Sequence, residues 1–251
     1  MSINVNTVYQ TVLSILNKEQ RGYMTPDEFN KVGTQVQLEI FEKYFEDLNQ
    51  QARVPQSNLN YANRLENIDE KVAIFKTFGN AAYNNVSVTP TNYFTLPTVD
   101  AYGISVELYR IGEVTHKDQV LIQRLQRNDF YTSEKSKLTK ATETFPTYLY
   151  ENNYLFVKPN SITSNVQVEY VRKPLDVIWG FTIGSRGQYL FNENAFNPST
   201  EVGSRNFELH ISEQSEVILR ILMYAGIIIR DPQIIQAAAQ QVQMDEINEK
   251  S

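Results

Sequence analysis

The sequence predicts an α+β protein in which a helical bundle built from both chain ends accompanies an antiparallel β-sandwich or barrel-like middle domain. Two observations carry that expectation. Apolar residues recur at helical spacing near both ends, as Val5, Val8, Val12, Ile15 and Leu16, and again as Val217, Ile218, Ile221, Leu222, Ala225, Ile228 and Ile229. Between them lie short β-prone runs separated by Pro90, Pro97 and Gly103. The expected division is 1–80 for a helical hairpin plus a third helix, 81–206 for a β-rich domain with long loops, and 207–251 for a helical pair packing with the amino-terminal helices.

The first helix is expected to stop near Gly22. The second opens on Thr25-Pro26-Asp27-Glu28, where the threonine oxygen can accept from the third helical N–H, proline suits the first helical position, and glutamate can reach back. Its apolar face runs through Phe29, Val32, Val36, Ile40, Tyr44 and Leu48, and Gly33 beside it predicts close approach of a partner helix. The pair reads as an antiparallel hairpin. A third helix carries Tyr61, Leu65, Ile68, Val72 and Phe75 at alternating spacings of four and three, with Gly79 as its stop.

Strand runs are expected at residues 86–88, 93–96 and 104–111. Glu151-Asn152-Asn153 between residues 147–150 and 154–157 predicts a hairpin, and residues 166–171 alternate as a further strand that Pro174 ends. Residues 117–140 read as a loop with a helical turn around 120–126, and residues 180–203 as an extended arm or long exposed loop. Ser212 is placed to cap the helix of Val217 to Ile229, and Asp231-Pro232 to start a last helix with Ile234, Ile235, Ala238, Val242 and Met244 inward. The apolar sides of the two terminal groups predict that they meet, since each large side chain left in water forgoes about 1.5 to 3 kcal/mol.

Composition narrows the function. A net charge of -6 argues against nucleic-acid affinity, which rests on Lys and Arg neutralising phosphates. The absence of cysteine excludes disulfides, thiolate metal sites and thiol nucleophiles, and folding in a reducing cytoplasm is the simpler reading. Residues 1–17 lack the basic start and continuous apolar core of a signal peptide, so export by that route is not expected. The most apolar stretch, 217–229, contains Arg220 and falls short of the roughly 20 residues that cross a bilayer. No membrane partner is expected.

No catalytic, cofactor-binding or metal-binding residue is assigned. His116 and His210 are the only histidines and neither adjoins a nucleophile elbow. Gly180 to Gly187 lacks the lysine and spacing of a phosphate loop and reads as a flexible turn. Glu42 with Glu46 and Asp245 with Glu249 stand at i, i+4, the pattern of a solvated helix face. The run Glu134-Lys135-Ser136-Lys137-Leu138-Thr139-Lys140 is the one local basic cluster and reads as a solvated loop. Trp179, Tyr170, Arg172 and Lys173 are the candidate interface residues, Trp179 because tryptophan is enriched where partners meet, with a place in the core or at a domain junction as the alternative.

Several segments, taken in order, resemble the ring, or head-to-tail connector, proteins of crAss-like and other short-tailed bacteriophages. They are the opening helix from Val8-Tyr9 to Leu16-Asn17, Tyr23-Met24-Thr25-Pro26-Asp27-Glu28-Phe29, and Leu38-Glu39-Ile40-Phe41-Glu42-Lys43-Tyr44-Phe45. Then come Phe94-Thr95-Leu96-Pro97, Pro146-Thr147-Tyr148, Tyr154-Leu155-Phe156-Val157-Lys158-Pro159, Val168-Glu169-Tyr170-Val171-Arg172-Lys173-Pro174, Trp179 and Phe207-Glu208-Leu209. The resemblance covers most of the chain, and none of its motifs is catalytic. It implies a non-enzymatic virion subunit, assembled in the bacterial cytoplasm, that forms a closed and twelvefold ring below the portal at the tail vertex. Its implied partners are its own copies, the portal and adjacent ring or tail proteins, and DNA that passes without specific binding. The alternative is a tail-associated module whose β-rich domain binds host glycan or protein.

Overall fold

The computed structural model describes residues 2–18, 23–51, 64–85, 92–100, 103–117, 120–229, 236 and 239–244. In chain order the elements are β1 (Ser2–Ile3), α1 (Val5–Lys18), α2 (Pro26–Gln51), α3 (Arg64–Ala73), β2 (Lys76–Asn80), β3 (Ala82–Asn85), β4 (Asn92–Thr95) and β5 (Leu108–His116). Next are β6 (Val120–Leu121), β7 (Gln123–Arg124), α4 (Arg127–Ser133), β8 (Thr147–Glu151), β9 (Tyr154–Lys158) and β10 (Val166–Arg172). The chain continues with β11 (Phe181–Ile183), β12 (Tyr189–Phe191), β13 (Phe207–His210), a short 3-10 turn at Ile211–Glu213, and α5 (Gln214–Ile229). The protein is thus mixed α+β with several antiparallel sheets. Among the described residues no helix is long and apolar enough to cross a membrane.

The chain divides into two compact units, one of residues 1–74 and 174–251 and the other of residues 75–173. The strand-rich unit therefore ends well before the expected boundary at 206. Residues 174–206 join the unit of the chain ends because their backbone is bonded to side chains of α2 and β13.

In the terminal unit, α5 packs on α1 and α2, and α3 packs on α2. The expected start of α2 is realised in full. Thr25 donates its backbone N–H and its hydroxyl to the Glu28 carboxylate, each at 2.8 Å, while the Glu28 N–H reaches Thr25 Oγ1 at 3.4 Å. The Thr25 bonds hold the Glu28 carboxyl below its ordinary value. The first and last strands of the unit also meet, since β1 pairs antiparallel with β13 and Val5 N–H donates to Asn206 Oδ1.

A polar row on α2 holds an extended segment in place. Asn30, Thr34 and Gln37 stand at helical spacing on one side and bond to residues 175–179. Asn30 Oδ1 accepts from Trp179 N–H at 2.7 Å, Thr34 Oγ1 accepts from Val177 N–H at 3.0 Å, and Gln37 Nε2 donates to the Leu175 carbonyl at 2.8 Å. Gln37, fully buried, also accepts from Glu208 N–H, and the Glu208 carboxylate accepts from Leu175 N–H. Beside this row Gly33 admits the ring of Phe207, which would lie 3.3 Å from an added Cβ. The close approach expected at Gly33 is real, but a strand side chain makes it rather than a helix.

Between α2 and α5, Arg220 reaches Glu216 at 2.7 Å and Glu39 at 3.6 Å, Lys43 reaches Glu216 at 3.4 Å, and the Tyr224 hydroxyl donates to Glu39. Burial alone would raise the Glu216 carboxyl, but Lys43 and Arg220 outweigh it and hold the group below its ordinary value. Arg220, which interrupts the apolar stretch of α5, is therefore a paired polar contact inside the helix packing.

Among the described residues the strand-rich unit contains two sheets. One has the order β2-β10-β5-β6 with every pair antiparallel; the other has the order β3-β4-β9-β8-β7, antiparallel except for β7 with β8. Val114 and the alternating Val166, Val168 and Tyr170 of the first sheet meet Phe94, Tyr148, Leu155 and Val157 of the second in one apolar cluster. The β8–β9 hairpin turns on Asn152 and Asn153, both at positive φ, as a two-residue turn of type I′ requires.

Several local expectations are corrected. Gly79 does not end a helix: α3 stops at Ala73, and Gly79 sits inside β2, where an added Cβ would lie 2.7 Å from Pro97. The helical turn expected around 120–126 is displaced to α4, because Val120 and Leu121 pair with β5 while Gln123 and Arg124 pair with β8. Residues 180–203 are neither a bare loop nor a single extended arm. They form the β11–β12 hairpin and a return tied through the backbone, with Ser204 N–H on Asn194 O and Arg205 N–H on Ile178 O. Ser212 donates to Glu213, and the cap is His210, whose side chain accepts from Ser212 N–H. The last helix is described only at 236 and 239–244, where Met244 is exposed rather than inward. Its start at Asp231-Pro232, the stop at Gly22, Tyr61 of the third helix and the strand at 86–88 lie outside the described residues.

Replacing Gln37 by Leu strands the Leu175 carbonyl and the Glu208 N–H in the interior, with an expected loss of about 2 to 4 kcal/mol in denaturant unfolding. Because folding lowers the Glu216 carboxyl from an ordinary 4.5, its contribution is fully present above that pH and is lost as the pH falls through the lower folded value. Thermal melts followed from neutral pH into acid are expected to show a decline below about pH 4.5 that is shallower in Glu216→Gln.

Candidate interaction surfaces

The segment pinned by α2 ends at Trp179, the only tryptophan. Its indole N–H donates to Asn6 Oδ1 at 3.0 Å, and its ring lies 4.5 Å from Tyr9, 5.4 Å from Phe191 and 6.1 Å from Phe181. Burial pushes the Tyr9 phenol far above its ordinary value, and its hydroxyl donates to the Met24 carbonyl. Trp179 is 5 % exposed and so belongs to the interior of its own unit. Tyr170 is likewise buried, on β10, and burial raises its phenol. Both side chains are thus interior to their own units, the alternative to an interface that the sequence allows for Trp179.

Arg172 and Lys173 are half-buried. The Arg172 guanidinium lies over the Phe75 ring at 5.6 Å, and Lys173 pairs with Glu107 at 3.0 Å. Tyr170, Arg172 and Lys173 therefore serve packing and pairing in and just beyond β10, while Trp179 packs in the other unit.

Trp179 instead acts as the footing of the β11–β12 hairpin. Phe181 and Phe191 face each other across the pair and both pack against Trp179, and Tyr189 meets Phe181 edge-on at 4.9 Å. The backbone at Gly180 leaves no room for a side chain, because an added Cβ would lie 2.1 Å from the Gly203 carbonyl oxygen. Beyond this footing the hairpin presents apolar residues to water. Ile183 is 70 % exposed and Leu190 48 %. Of residues 180–187, expected to be a flexible turn, 181–183 are strand β11 and the turn is confined to 184–187, where Gly184 and Gln188 close it with Gly187 at positive φ.

The strand-rich unit has a comparable feature in residues 134–146. This loop is internally bonded, with Lys140 N–H on Ser136 O, Thr139 Oγ1 on Ser133 O, reciprocal backbone bonds between Thr142 and Phe145, and Ser161 Oγ on the Glu143 carboxylate. It nevertheless leaves Leu138 97 % and Phe145 79 % exposed. Lys135, Lys137 and Lys140 are exposed beside them.

A cleft of about 740 Å³ opens in the same unit between residues 95–98, residues 105–109 and the β8–β9 turn. Tyr109, Tyr150, Glu107 and Asn153 line it; the Tyr150 hydroxyl donates to Asn153, and the Arg124 guanidinium lies 5.7 Å from the Tyr150 ring. His116 is buried on β5 with Nδ1 at 3.2 Å from the Asn165 carbonyl, while His210 caps the 3-10 turn. Glu42 and Glu46 are exposed on α2. No cluster of three potential metal ligands occurs among the described residues.

Sequence reasoning missed Leu138, Phe145, Ile183 and Leu190 as surface features. Leu138 and Phe145 are isolated apolar residues in polar stretches, and Ile183 and Leu190 sit in short strands, where a buried residue leaves the same trace.

Tryptophan emission is expected to be blue-shifted and poorly quenched by acrylamide in the native protein, and to move red on unfolding. Replacing Trp179 by Phe removes the Asn6 bond and part of the ring contacts, with an expected loss of about 1 to 3 kcal/mol in denaturant titration followed by circular dichroism. No protein-family profile matches the chain, and no curated protein matches it.

Proposed function

We propose that the chain is a virion structural subunit that closes into a ring in the head-to-tail connector or tail below the portal, lining part of the channel for the genome. The observation that carries this reading is the β11–β12 hairpin: a rigid, aromatically footed element whose far end holds Ile183 and Leu190 in water. An isolated soluble chain gains nothing from such exposure, whereas a second surface that covers it gains about 1.5 to 3 kcal/mol per large side chain. Exposed apolar residues occur on each of the two units, and a cyclic assembly uses two different surfaces of every subunit. The ordered series of motifs resembling phage connector proteins points the same way, and the net charge of -6 suits a channel through which DNA slides without adhering.

In this reading α1, α2 and α5 belong to a helical bundle drawn from both ends of the chain and supply the collar. The two sheets of residues 75–173 close as a β-sandwich that contacts the neighbouring rings, the portal or tail proteins.

A second reading, a tail-associated module for host glycan, is favoured by the cleft, since Tyr109 and Tyr150 offer aromatic faces and Glu107 and Asn153 offer hydrogen-bonding groups to a sugar.

Sedimentation velocity and negative-stain imaging are expected to show a closed species of about twelve times the 29.0 kDa chain mass, formed alone or on adding the portal protein. Ile183→Asp with Leu190→Asp is expected to shift this species to monomers while native tryptophan emission persists. A wild-type chain that stays monomeric in both settings overturns the ring. Saturable binding to a cell-surface glycan that Tyr150→Ala abolishes establishes the second reading in its place.

A further inference from the structure

The loop of residues 134–146 combines features that are costly to hold in water together. Its conformation is fixed by the bonds of Lys140 to Ser136, Thr139 to Ser133, Thr142 with Phe145, and Ser161 to Glu143, so Leu138 and Phe145 cannot turn inward without breaking them. The same loop carries three exposed lysines, and among the described residues Lys135, Lys137 and Lys140 have no ion-pair partner. A surface that receives the loop must offer apolar contact and negative charge together.

The chain carries such a surface on its other unit. The charges are unevenly divided: residues 1–74 and 174–251 hold twelve Lys and Arg against twenty Asp and Glu, whereas residues 75–173 hold eleven against nine. On α3, Glu66 and Glu70 are exposed one turn apart with Asp69 beside them, and Ile74 follows at the same four-residue spacing, also exposed. Lys71 of α3 pairs with Glu213 of the 3-10 turn, which brings exposed Ile211 toward the same region. Carboxylates with isoleucines thus complement lysines with leucine and phenylalanine.

We infer that residues 134–146 of one copy dock on the α3 face of a second copy, Leu138 and Phe145 against Ile74 and Ile211, with Lys135, Lys137 and Lys140 facing Glu66, Asp69 and Glu70. The inference rests on the ring reading and names one contact within it. The contact joins two different patches, so it repeats from subunit to subunit, as closure of a ring requires. A lipid surface suits the loop less well, because the whole chain is acidic and is repelled by anionic headgroups.

The test uses the full chain in sedimentation velocity across a concentration series, with tryptophan emission and circular dichroism confirming the native fold of every variant. Leu138→Asp is expected to raise the concentration needed for assembly at least about ten-fold, the equivalent of one lost apolar anchor. Lys135→Glu with Lys137→Glu and Lys140→Glu is expected to stop assembly, and Glu66→Lys with Glu70→Lys to do the same. An equimolar mixture of those two charge-reversed proteins is expected to assemble again, since each now complements the other. Loop variants that assemble like the wild type overturn this contact while leaving the ring intact. Charge-reversed proteins that each dissociate but fail to assemble together also overturn it, because the two patches then do not meet. A wild-type chain that never assembles removes the ring reading itself. Loop-dependent sedimentation with vesicles of phosphatidylcholine and phosphatidylglycerol assigns the loop to lipid and likewise overturns the contact.

Discussion

Three side chains on one helix carry the backbone of a segment that has no sheet of its own. Residues 175–179 run extended beside α2, and Asn30, Thr34 and Gln37 supply partners that a neighbouring strand supplies elsewhere. Buried amide groups left without such partners cost about 1 to 3 kcal/mol each, so the row holds the segment together with the bonds of Leu175 to Glu208 and of Ile178 to Arg205. Gln37 does the most, since its one amide joins the extended segment to β13 through Leu175 and Glu208. The return of the chain to its first helices depends on these bonds.

From that row the geometry propagates outward. Pinning Trp179 N–H fixes the indole beside Tyr9, the indole fixes Phe181 and Phe191, and these two rings hold the hairpin that carries Ile183 and Leu190. A two-stranded sheet standing alone in water is at best marginally stable. Here the aromatic footing and the closure of Gly180 against Gly203 replace the third strand. Buried Trp179 therefore acts by position: it sets where the exposed Ile183 and Leu190 stand.

Much of the fold was legible in the sequence where a local signal and the final environment agree. The Thr25-Pro26-Asp27-Glu28 start, the Asn152-Asn153 turn and the alternation of Val166, Val168 and Tyr170 all act through neighbours in the chain. Legibility failed where distant pairing decided the outcome. Val120 to Arg124 lies in a polar stretch with no clean period and takes strand form from β5 and β8, and Gly79 looks like a helix stop until Pro97 is seen against it. The row of Asn30, Thr34 and Gln37 was hidden for another reason. Polar residues on a helix read as its wet side, and nothing near them in sequence reveals an extended segment over 130 residues away. The candidate surfaces were less legible still, because exposure of Leu138 or Ile183 is a property of the assembled fold.

The two units differ in how they satisfy polar groups, and that difference bears on where a partner can bind. In residues 75–173 nearly all long-range backbone bonding runs through sheets, so the side chains between strands are free to form a continuous apolar core and the loops at the ends can vary. In the unit of the chain ends the interior itself holds amides and ion pairs, with Gln37 beneath the extended segment and Glu216 between Lys43 and Arg220. Such a polar interior tolerates little displacement, because each shift would strand a buried group. A surface backed by that interior is stiff, and stiffness lowers the entropy lost when a second molecule settles on it. The hairpin and the acidic face of α3 both stand on this unit, whereas the basic loop stands on the other, so any contact that joins the loop to α3 pairs a loop held by its own local bonds with a face backed by the polar interior.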